Sequence, residues 1–205
     1  MWVYEKRLQF PVKITKTCPK TAQMIISQYG PDGELSASMR YLAQRYSMPV
    51  KEVGGLLTDI GTEELAHMEI ICSMVYQLTK HLTIEQAKEA GFDAYYIDHT
   101  TALWPQAAAG LPFTAIEFQS KGDAIADLTE DLAAEQKART VYDNLLRMIT
   151  DPEVREPLKF LRTREIVHFQ RFGEALEKTK DKLDSNNFYY YNPEFDKEMK
   201  DTNKS

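Results

Sequence analysis

Two short stretches of the sequence place a glutamate and a histidine three residues apart: Glu64 with His67, and Glu165 with His168. Residues three apart on an α-helix point the same way. Each pair can therefore offer one carboxylate oxygen and one imidazole nitrogen to a single point in space. This donor combination suits a metal ion, and manganese or iron better than copper.

Each pair follows another glutamate at the same distance. Glu34 lies 30 residues before Glu64, and Glu135 lies 30 residues before Glu165. The chain therefore carries the unit Glu…Glu-x-x-His twice. Helix bundles that hold two metal ions combine single glutamates on two helices with Glu-x-x-His pairs on the other two. The spacing predicts a site for two metal ions.

The residues that flank both pairs repeat with the spacing of helices packed in a bundle. In residues 53–78 the flanking seam positions are apolar: Val53, Leu57, Ile60, Ile71, Met74 and Leu78. In residues 154–179 the flanking seam positions are mostly apolar: Val154, Leu158, Leu161, Phe172 and Ala175, followed by Thr179. Such a seam faces a bundle core, where an unpaired carboxylate is costly. Both pairs are thus predicted to lie inside the protein.

Four long helices are needed to position these residues. We expect the first from Pro31 to about Ser47, the second from about residue 50, the third from about 122 to 149, and the fourth from 152 to about 183. The irregular segment of about forty residues between the second and third helices is long for a loop and indicates a crossover. The predicted fold is all-α, a four-helix bundle with a long crossover connection between helices 2 and 3.

The bundle is predicted to form one domain over residues 1–183, with an extended N-terminal segment 1–16 and a polar, tyrosine-rich tail 184–205. The tail contains Phe188 followed by Tyr189, Tyr190 and Tyr191. Consecutive aromatic side chains are costly to leave in water, so this run is interpreted as an assembly contact.

Composition narrows the possible partners and the setting. A net charge of −6 argues against nucleic acid. No apolar run approaches a membrane span, and the N-terminus lacks the apolar core of a signal peptide. The only cysteines, Cys18 and Cys72, lie far apart, which is typical of a reduced intracellular setting. We expect synthesis in the cytoplasm and neither a nucleic-acid nor a membrane partner.

Each Glu-x-x-His pair alone has an ordinary alternative, as an exposed helix pair or a buried hydrogen-bonded pair. The duplication of the unit favours metal binding over that alternative.

Glu63 lies one step off the seam and is expected to be solvated. His81 and His99 fall in the connection and are interpreted as surface or structural residues. For Tyr41 and Tyr142 two roles stay open, hydrogen bonding near the site or ordinary core packing. Asp131, one turn before Glu135, is a candidate for orienting a metal-bound imidazole.

Three strings of the sequence resemble the manganese catalases: TEELAHME at 62–69, AAEQKAR at 133–139 and TREIVHFQ at 163–170. The resemblance is strongest to the shorter, CotJC-like members found as spore-coat proteins of endospore-forming bacteria. It includes MWVYE at 1–5 and YGPDGEL at 29–35, and it covers roughly residues 1–183.

The resemblance implies a ferritin-like four-helix bundle that holds two manganese ions per chain. The metal ligands that it implies are Glu34, Glu64, His67, Glu135 and His168. Glu34 and His67 would bind one ion, Glu135 and His168 the other, and Glu64 would bridge the two. Glu165 would be the catalytic acid and base.

The resemblance also implies an activity and partners. Family members disproportionate hydrogen peroxide to water and oxygen, and they are commonly hexamers whose long C-terminal tails clasp neighbours. Because this tail is short, a hexamer and a dimer both remain open, as do contacts with other spore-coat proteins. Two alternative functions are a di-iron oxidase or ferroxidase, and a structural coat protein with a largely structural metal site. The tyrosine run, which oxidation could cross-link, motivates the latter.

Overall fold

The computed structural model describes residues 7–92 and 113–183. These residues form α-helices and short 3₁₀ turns without a strand, so the all-α prediction is confirmed. The helices are α1 Pro19–Ile25, α2 Glu34–Gln44, α3 Lys51–Thr79, α4 Ile84–Glu89, α5 Ala124–Met148 and α6 Pro152–Leu183. The turns are Ile26–Gln28, Arg45–Ser47 and Ala115–Phe118.

The four longest helices pack as two hairpins, α2 against α3 and α5 against α6. The hairpins meet through α3 with α6 and through α2 with α5. The start of α2 lies beside the later half of α5, because Tyr142 contacts Glu34, whereas Tyr41 further along α2 contacts the earlier Glu135. α2 and α5 are therefore antiparallel.

The arrangement explains the long connection between α3 and α5. Leu78, at the end of α3, packs in the same cluster as Val154, at the start of α6. Leu128, at the start of α5, packs with Leu57 in a second cluster, beside the start of α3. α3 thus ends at one end of the bundle and α5 begins at the other, so the chain has to return along its length. The predicted crossover follows from this geometry.

Two apolar clusters fill the bundle. They lie on either side of a polar layer that contains the two Glu-x-x-His pairs. The first unites the second half of α3 with α1 and with the ends of α5 and α6 that adjoin the α5–α6 turn. The second unites the first half of α3 with Tyr41, Leu128 and Phe172. All sixteen seam positions predicted for α3 and α6, the two Glu-x-x-His pairs included, are buried. The periodicity of apolar residues in the sequence therefore predicted the inward faces of both helices correctly.

α2 starts three residues later than predicted, at Glu34 instead of Pro31. Residues 30–33 form a turn in which the Gly33 N–H donates to the Gly30 carbonyl oxygen at 3.0 Å. A side chain at Gly33 would lie 2.1 Å from the backbone of Gln28, so only glycine fits there. The turn brings Glu34 to the first position of the helix.

α2 buries its polar side and exposes part of its apolar side. Glu34, Ser38 and Gln44 are buried, whereas Met39 is 40% exposed. The buried side faces α3 and α5, so α2 supplies polar groups to the bundle interior.

Several predictions fall on parts of the chain outside the described residues. They concern residues 1–6 of the extended N-terminal segment, His99 in the connection, and the tail 184–205 with its tyrosine run. Within the described part, residues 7–18 are free of helix, and Ile14 packs into the first apolar cluster. Of the helices described, none is long and apolar enough to cross a membrane.

We predict that Gly61→Ala destabilises the protein although it replaces a glycine inside a helix. Gly61 is where α3 approaches α2: an added Cβ would lie 2.9 Å from Leu42 Cγ and 3.3 Å from Leu42 N. Overpacking of this kind costs about 1–3 kcal/mol, against a gain in helix propensity of at most about 1 kcal/mol. Thermal unfolding followed by circular dichroism should show a lower midpoint.

Gly55→Ala is the matched control on the same helix. An added Cβ there meets nothing within 4 Å, so only the propensity gain remains. Its unfolding midpoint should rise or stay level. Equal effects of the two substitutions would contradict the assigned contact between α2 and α3.

Candidate metal centre

The polar layer at mid-bundle contains both predicted pairs. Glu64 and His67 project from α3, and Glu165 and His168 project from α6. All four are buried, and each offers one ligand atom within 4.8 Å of the others. The pairs that were predicted separately thus form one cluster.

The two remaining predicted glutamates border this cluster from the other helices. Glu34 Oε2, on α2, lies 3.9 Å from His67 Nδ1, and Glu135 Oε2, on α5, lies 3.5 Å from His168 Nδ1. Both are buried. The structure therefore brings together all six residues that the sequence singled out.

Glu64 lies at the centre of the arrangement. Its Oε2 is 2.6 Å from His67 Nδ1, and its Oε1 is 2.9 Å from His168 Nδ1. The two imidazole rings are stacked with centroids 5.5 Å apart. Each oxygen of this one carboxylate thus faces a different Nδ1 atom. A ligand that bridges two metal ions requires such a position.

Two tyrosines hold the outer glutamates. The Tyr41 hydroxyl on α2 donates to Glu135 Oε1 on α5 at 2.5 Å, and the Tyr142 hydroxyl on α5 donates to Glu34 Oε1 on α2. Both rings are fully buried. The structure shows both roles that were left open for these tyrosines: their hydroxyls donate at the site, and their rings pack in the two apolar clusters.

Glu63 was expected to be solvated, and this prediction was wrong. Its side chain is 19% exposed, and its oxygens lie 3.1 Å from His168 Nε2 and 3.6 Å from His67 Nε2. Arg164 donates to both oxygens from α6, and Gln9 donates to Oε1. The available signal was its position four residues before His67, one helical turn away.

Asp131 does not orient an imidazole, because Glu63 faces both Nε2 atoms. It is buried on α5 beside α2 instead, where burial raises its pKa well above the ordinary value although Gln44 and Arg40 act to lower it. His81 is exposed, as expected for a residue outside the site.

The electrostatics of the layer divide its carboxylates into two groups. Burial raises the pKa of Glu34, Glu135 and Glu165, and the negative charge of Glu64 raises it further. Burial also acts on Glu64 itself, but the imidazoles of His168 and His67 outweigh it and lower the pKa of Glu64. The pKa of the central carboxylate and those of the three surrounding ones are therefore shifted in opposite directions.

The imidazoles respond in the opposite direction. Burial would lower the pKa of each ring, but the neighbouring carboxylates, Glu64 first, raise that of His67 to about 9 and that of His168 to about 12. Both rings consequently carry a positive charge at neutral pH in the metal-free protein.

Several buried donor atoms of the layer have no hydrogen-bond partner among the described residues. They are Glu64 Oε1, His67 Nε2, Glu135 Oε2, Glu165 Oε1 and His168 Nδ1. Leaving such atoms unpaired is costly inside a protein. Glu64 Oε1 and His168 Nδ1 lie close together without the alignment of a hydrogen bond. Oxygens and imidazole nitrogens in this state fit ligation of manganese or iron.

A cavity of about 230 Å³ connects the layer with the surface between α2 and α5. Its lining includes exposed Lys137 and Gln119 and the buried carboxylates Glu34, Glu135 and Glu165. Arg40 also lines it and donates to the Glu117 carbonyl oxygen at 2.9 Å, so the turn Ala115–Phe118 is fastened to α2. Among the described residues, the lining of the cavity thus extends from exposed side chains to the buried carboxylates.

Comparison with known proteins identifies the family. The family described as manganese containing catalase matches residues 1–199 of the chain. The chain belongs to the manganese catalase family. The resemblance seen in the sequence is thereby confirmed.

Relatives of this manganese catalase family member include proteins of different lengths. It is 54% identical over 190 residues to protein CotJC of Bacillus subtilis (strain 168), which covers 92% of the chain and 100% of the relative. It is 35% identical over 192 residues to a probable manganese catalase of Clostridium acetobutylicum, covering 92% and 85% respectively. The crystal structure of KatB, a manganese catalase from Anabaena, matches with a TM-score of 0.79 and 30% identity, covering 92% of this chain and 84% of that one.

We predict that binding of Mn²⁺ releases protons and tightens as the pH rises. In the metal-free protein the pKa of His67 is raised to about 9. The pKa values of the carboxyl groups of Glu34, Glu135 and Glu165 are raised as well. Because a ligating imidazole and carboxylate must be deprotonated, the ion competes with protons. Calorimetric titration with Mn²⁺ in buffers of different ionisation enthalpy should reveal the released protons. Affinity that stays constant from about pH 6 to about pH 8 would contradict this competition.

Proposed function

We propose that this protein is a dimanganese catalase that disproportionates hydrogen peroxide to water and oxygen. The observation that carries the proposal is the position of Glu64, whose two oxygens face the Nδ1 atoms of His67 and His168. Family membership supports manganese as the metal. The cavity that reaches the buried carboxylates supports a small substrate.

We propose that each ion is bound by one outer glutamate and the histidine that lies beside it. Glu34 with His67 would hold one ion, Glu135 with His168 the other, and Glu64 would bridge the pair. The observed proximity of Glu34 to His67 and of Glu135 to His168 supports this division. Tyr41 and Tyr142 would orient the two outer carboxylates by the hydrogen bonds already described.

When bound, two manganese ions supply the two-electron change that peroxide disproportionation requires. The residues of the chain provide the proton transfer and the dry surroundings. Glu165 lines the cavity, its Oε1 lacks a hydrogen-bond partner among the described residues, and burial raises its pKa well above the ordinary value. Glu165 would therefore hold a proton at Oε1, give it to a peroxide oxygen and take it back within one cycle.

We predict that Glu165→Gln keeps both metal ions but loses turnover. The amide is close in size to the carboxylic acid and cannot exchange the proton. Loss of a general acid–base residue lowers the rate by about 10²–10⁴-fold. Oxygen release and metal content should be measured on the same preparation.

Glu64→Ala is the control, since it removes the proposed bridge and should abolish binding of the metal pair. Undiminished oxygen release by Glu165→Gln would eliminate Glu165 as the proton carrier. Loss of one ion in that variant would show that Glu165 is a ligand instead.

The choice of metal has a direct test because the same donors also suit iron. Protein loaded with Mn²⁺ and protein loaded with Fe²⁺ are given hydrogen peroxide, and oxygen is recorded with an electrode. We expect oxygen from the manganese form only. Activity confined to the iron form, with oxidation of Fe²⁺, would favour a ferroxidase. No turnover with two ions bound would favour a structural coat protein.

We also propose a location in the spore coat and assembly into a homo-oligomer, a hexamer or a dimer. The identity with CotJC supports the location. Large apolar side chains that are exposed in the described part of the chain, among them Tyr46 at 80% and Tyr76 at 64%, support an assembly. In that setting the protein would remove peroxide at the coat.

A further inference from the structure

Glu63 lies on the outer side of the two imidazoles, opposite the bridging position of Glu64. The adjacent glutamates of α3 thus face the same two rings from different sides: Glu64 faces both Nδ1 atoms and Glu63 faces both Nε2 atoms. Each oxygen of Glu63 faces its own ring: Oε2 lies at hydrogen-bond distance from His168 Nε2, 3.1 Å, and Oε1 lies 3.6 Å from His67 Nε2.

Arg164 fixes Glu63 in this place. Its Nε donates to Oε1 at 2.7 Å and its Nη2 donates to Oε2 at 3.1 Å, a two-point contact that sets the plane of the carboxylate. The Gln9 amide donates to Oε1 at 2.7 Å from the N-terminal segment. Glu63 Oε2 also lies 3.1 Å from His168 Nε2, so the carboxylate is placed to accept from several N–H groups.

We propose that Glu63 is a positioning residue that orients both metal-binding imidazoles at once. A carboxylate that accepts the Nε2 proton of a histidine holds the ring in the tautomer whose Nδ1 lone pair is free for a metal, and it makes that nitrogen a stronger donor. Separate carboxylates usually do this for separate ligands. In this chain one carboxylate serves both halves of the site. The proposal rests on the proposed dimetal function.

The alternative is that Glu63 and Arg164 form an ion pair that only joins α3 to α6. An ordinary ion pair of that kind contributes to folding and leaves the relative affinities of the two metal sites unchanged. The two possibilities therefore differ in metal binding.

Glu63→Gln separates them because an amide has one acceptor oxygen where a carboxylate has two. Its NH₂ group cannot accept a proton from the second imidazole. One histidine should keep its support while the other loses it. Removing such an outer partner typically weakens metal binding by about 10–100-fold.

The experiment is calorimetric titration of the full chain with Mn²⁺ as the probe. We expect the wild-type protein to bind two ions and Glu63→Gln to bind one ion near the wild-type affinity and the other about 10–100-fold more weakly. Electron paramagnetic resonance at one equivalent of Mn²⁺ should then show the hyperfine pattern of an isolated ion in the variant. Two sites with wild-type affinities in Glu63→Gln would overturn the proposal.

Two further variants guard against a general loss of folding. Glu69→Gln changes a partly buried glutamate on the same helix and should leave both affinities unaltered. Arg164→Gln removes the guanidinium group that sets the plane of the Glu63 carboxylate. It should lower the affinity for Mn²⁺ at both sites by a similar factor, without a difference between the two sites. If Glu63→Gln does not fold, equal binding by Arg164→Gln and the wild type would overturn the proposal.

Oxygen release is not a readout of this experiment. Failure of the catalase proposal can therefore be distinguished from failure of the proposal for Glu63. Wild-type protein that binds two Mn²⁺ ions without releasing oxygen would contradict the proposed activity while the affinities still decide the role of Glu63. Wild-type protein that binds no Mn²⁺ would overturn both proposals.

Discussion

Six ionisable side chains share the middle of a narrow helix bundle, and the neighbouring structure is arranged to stabilise them there. A carboxylate taken from water into a protein interior loses several kilocalories per mole of solvation unless partners replace the water. The partners come from opposite helices: Tyr41 of α2 holds Glu135 of α5, and Tyr142 of α5 holds Glu34 of α2. Because these contacts are reciprocal, sliding one hairpin along the other would break both. The polar layer therefore sets the register that the apolar clusters, which are less directional, leave loose.

The sequence carried most of this information for α3 and α6. Their apolar seams repeat cleanly, and a glutamate and a histidine in such a seam stand out because burial penalises them. Every predicted seam position of both helices is buried. The spacing of 30 residues between glutamates then assigned Glu34 and Glu135 to the same layer, since equal separations in two hairpins reach equal heights in the bundle. Periodicity and duplication thus located the site without three-dimensional information.

The remainder of the site depends on contacts between helices, which no single period encodes. Glu63 sits off the seam of α3, where a glutamate is ordinarily solvated, and it is drawn in by Arg164 of α6 and the imidazoles. α2 follows a different rule, because its inward side is polar and Met39 points outward. Asp131 faces Arg40 and Gln44 of α2 instead of a histidine. In each case the identity of the opposite helix decided the outcome.

The two hairpins are joined at the layer by residues that are far apart in sequence; Glu63 and His168 are separated by 105 positions. A metal pair held by both hairpins would act as a cross-link that closes a very long loop. Ions that bind the folded protein and not the unfolded chain would stabilise the folded state through their free energy of binding. With the ions bound, the halves would be held at the site as well as through the connection between α3 and α5, so a change in the length of that connection would cost the bundle little.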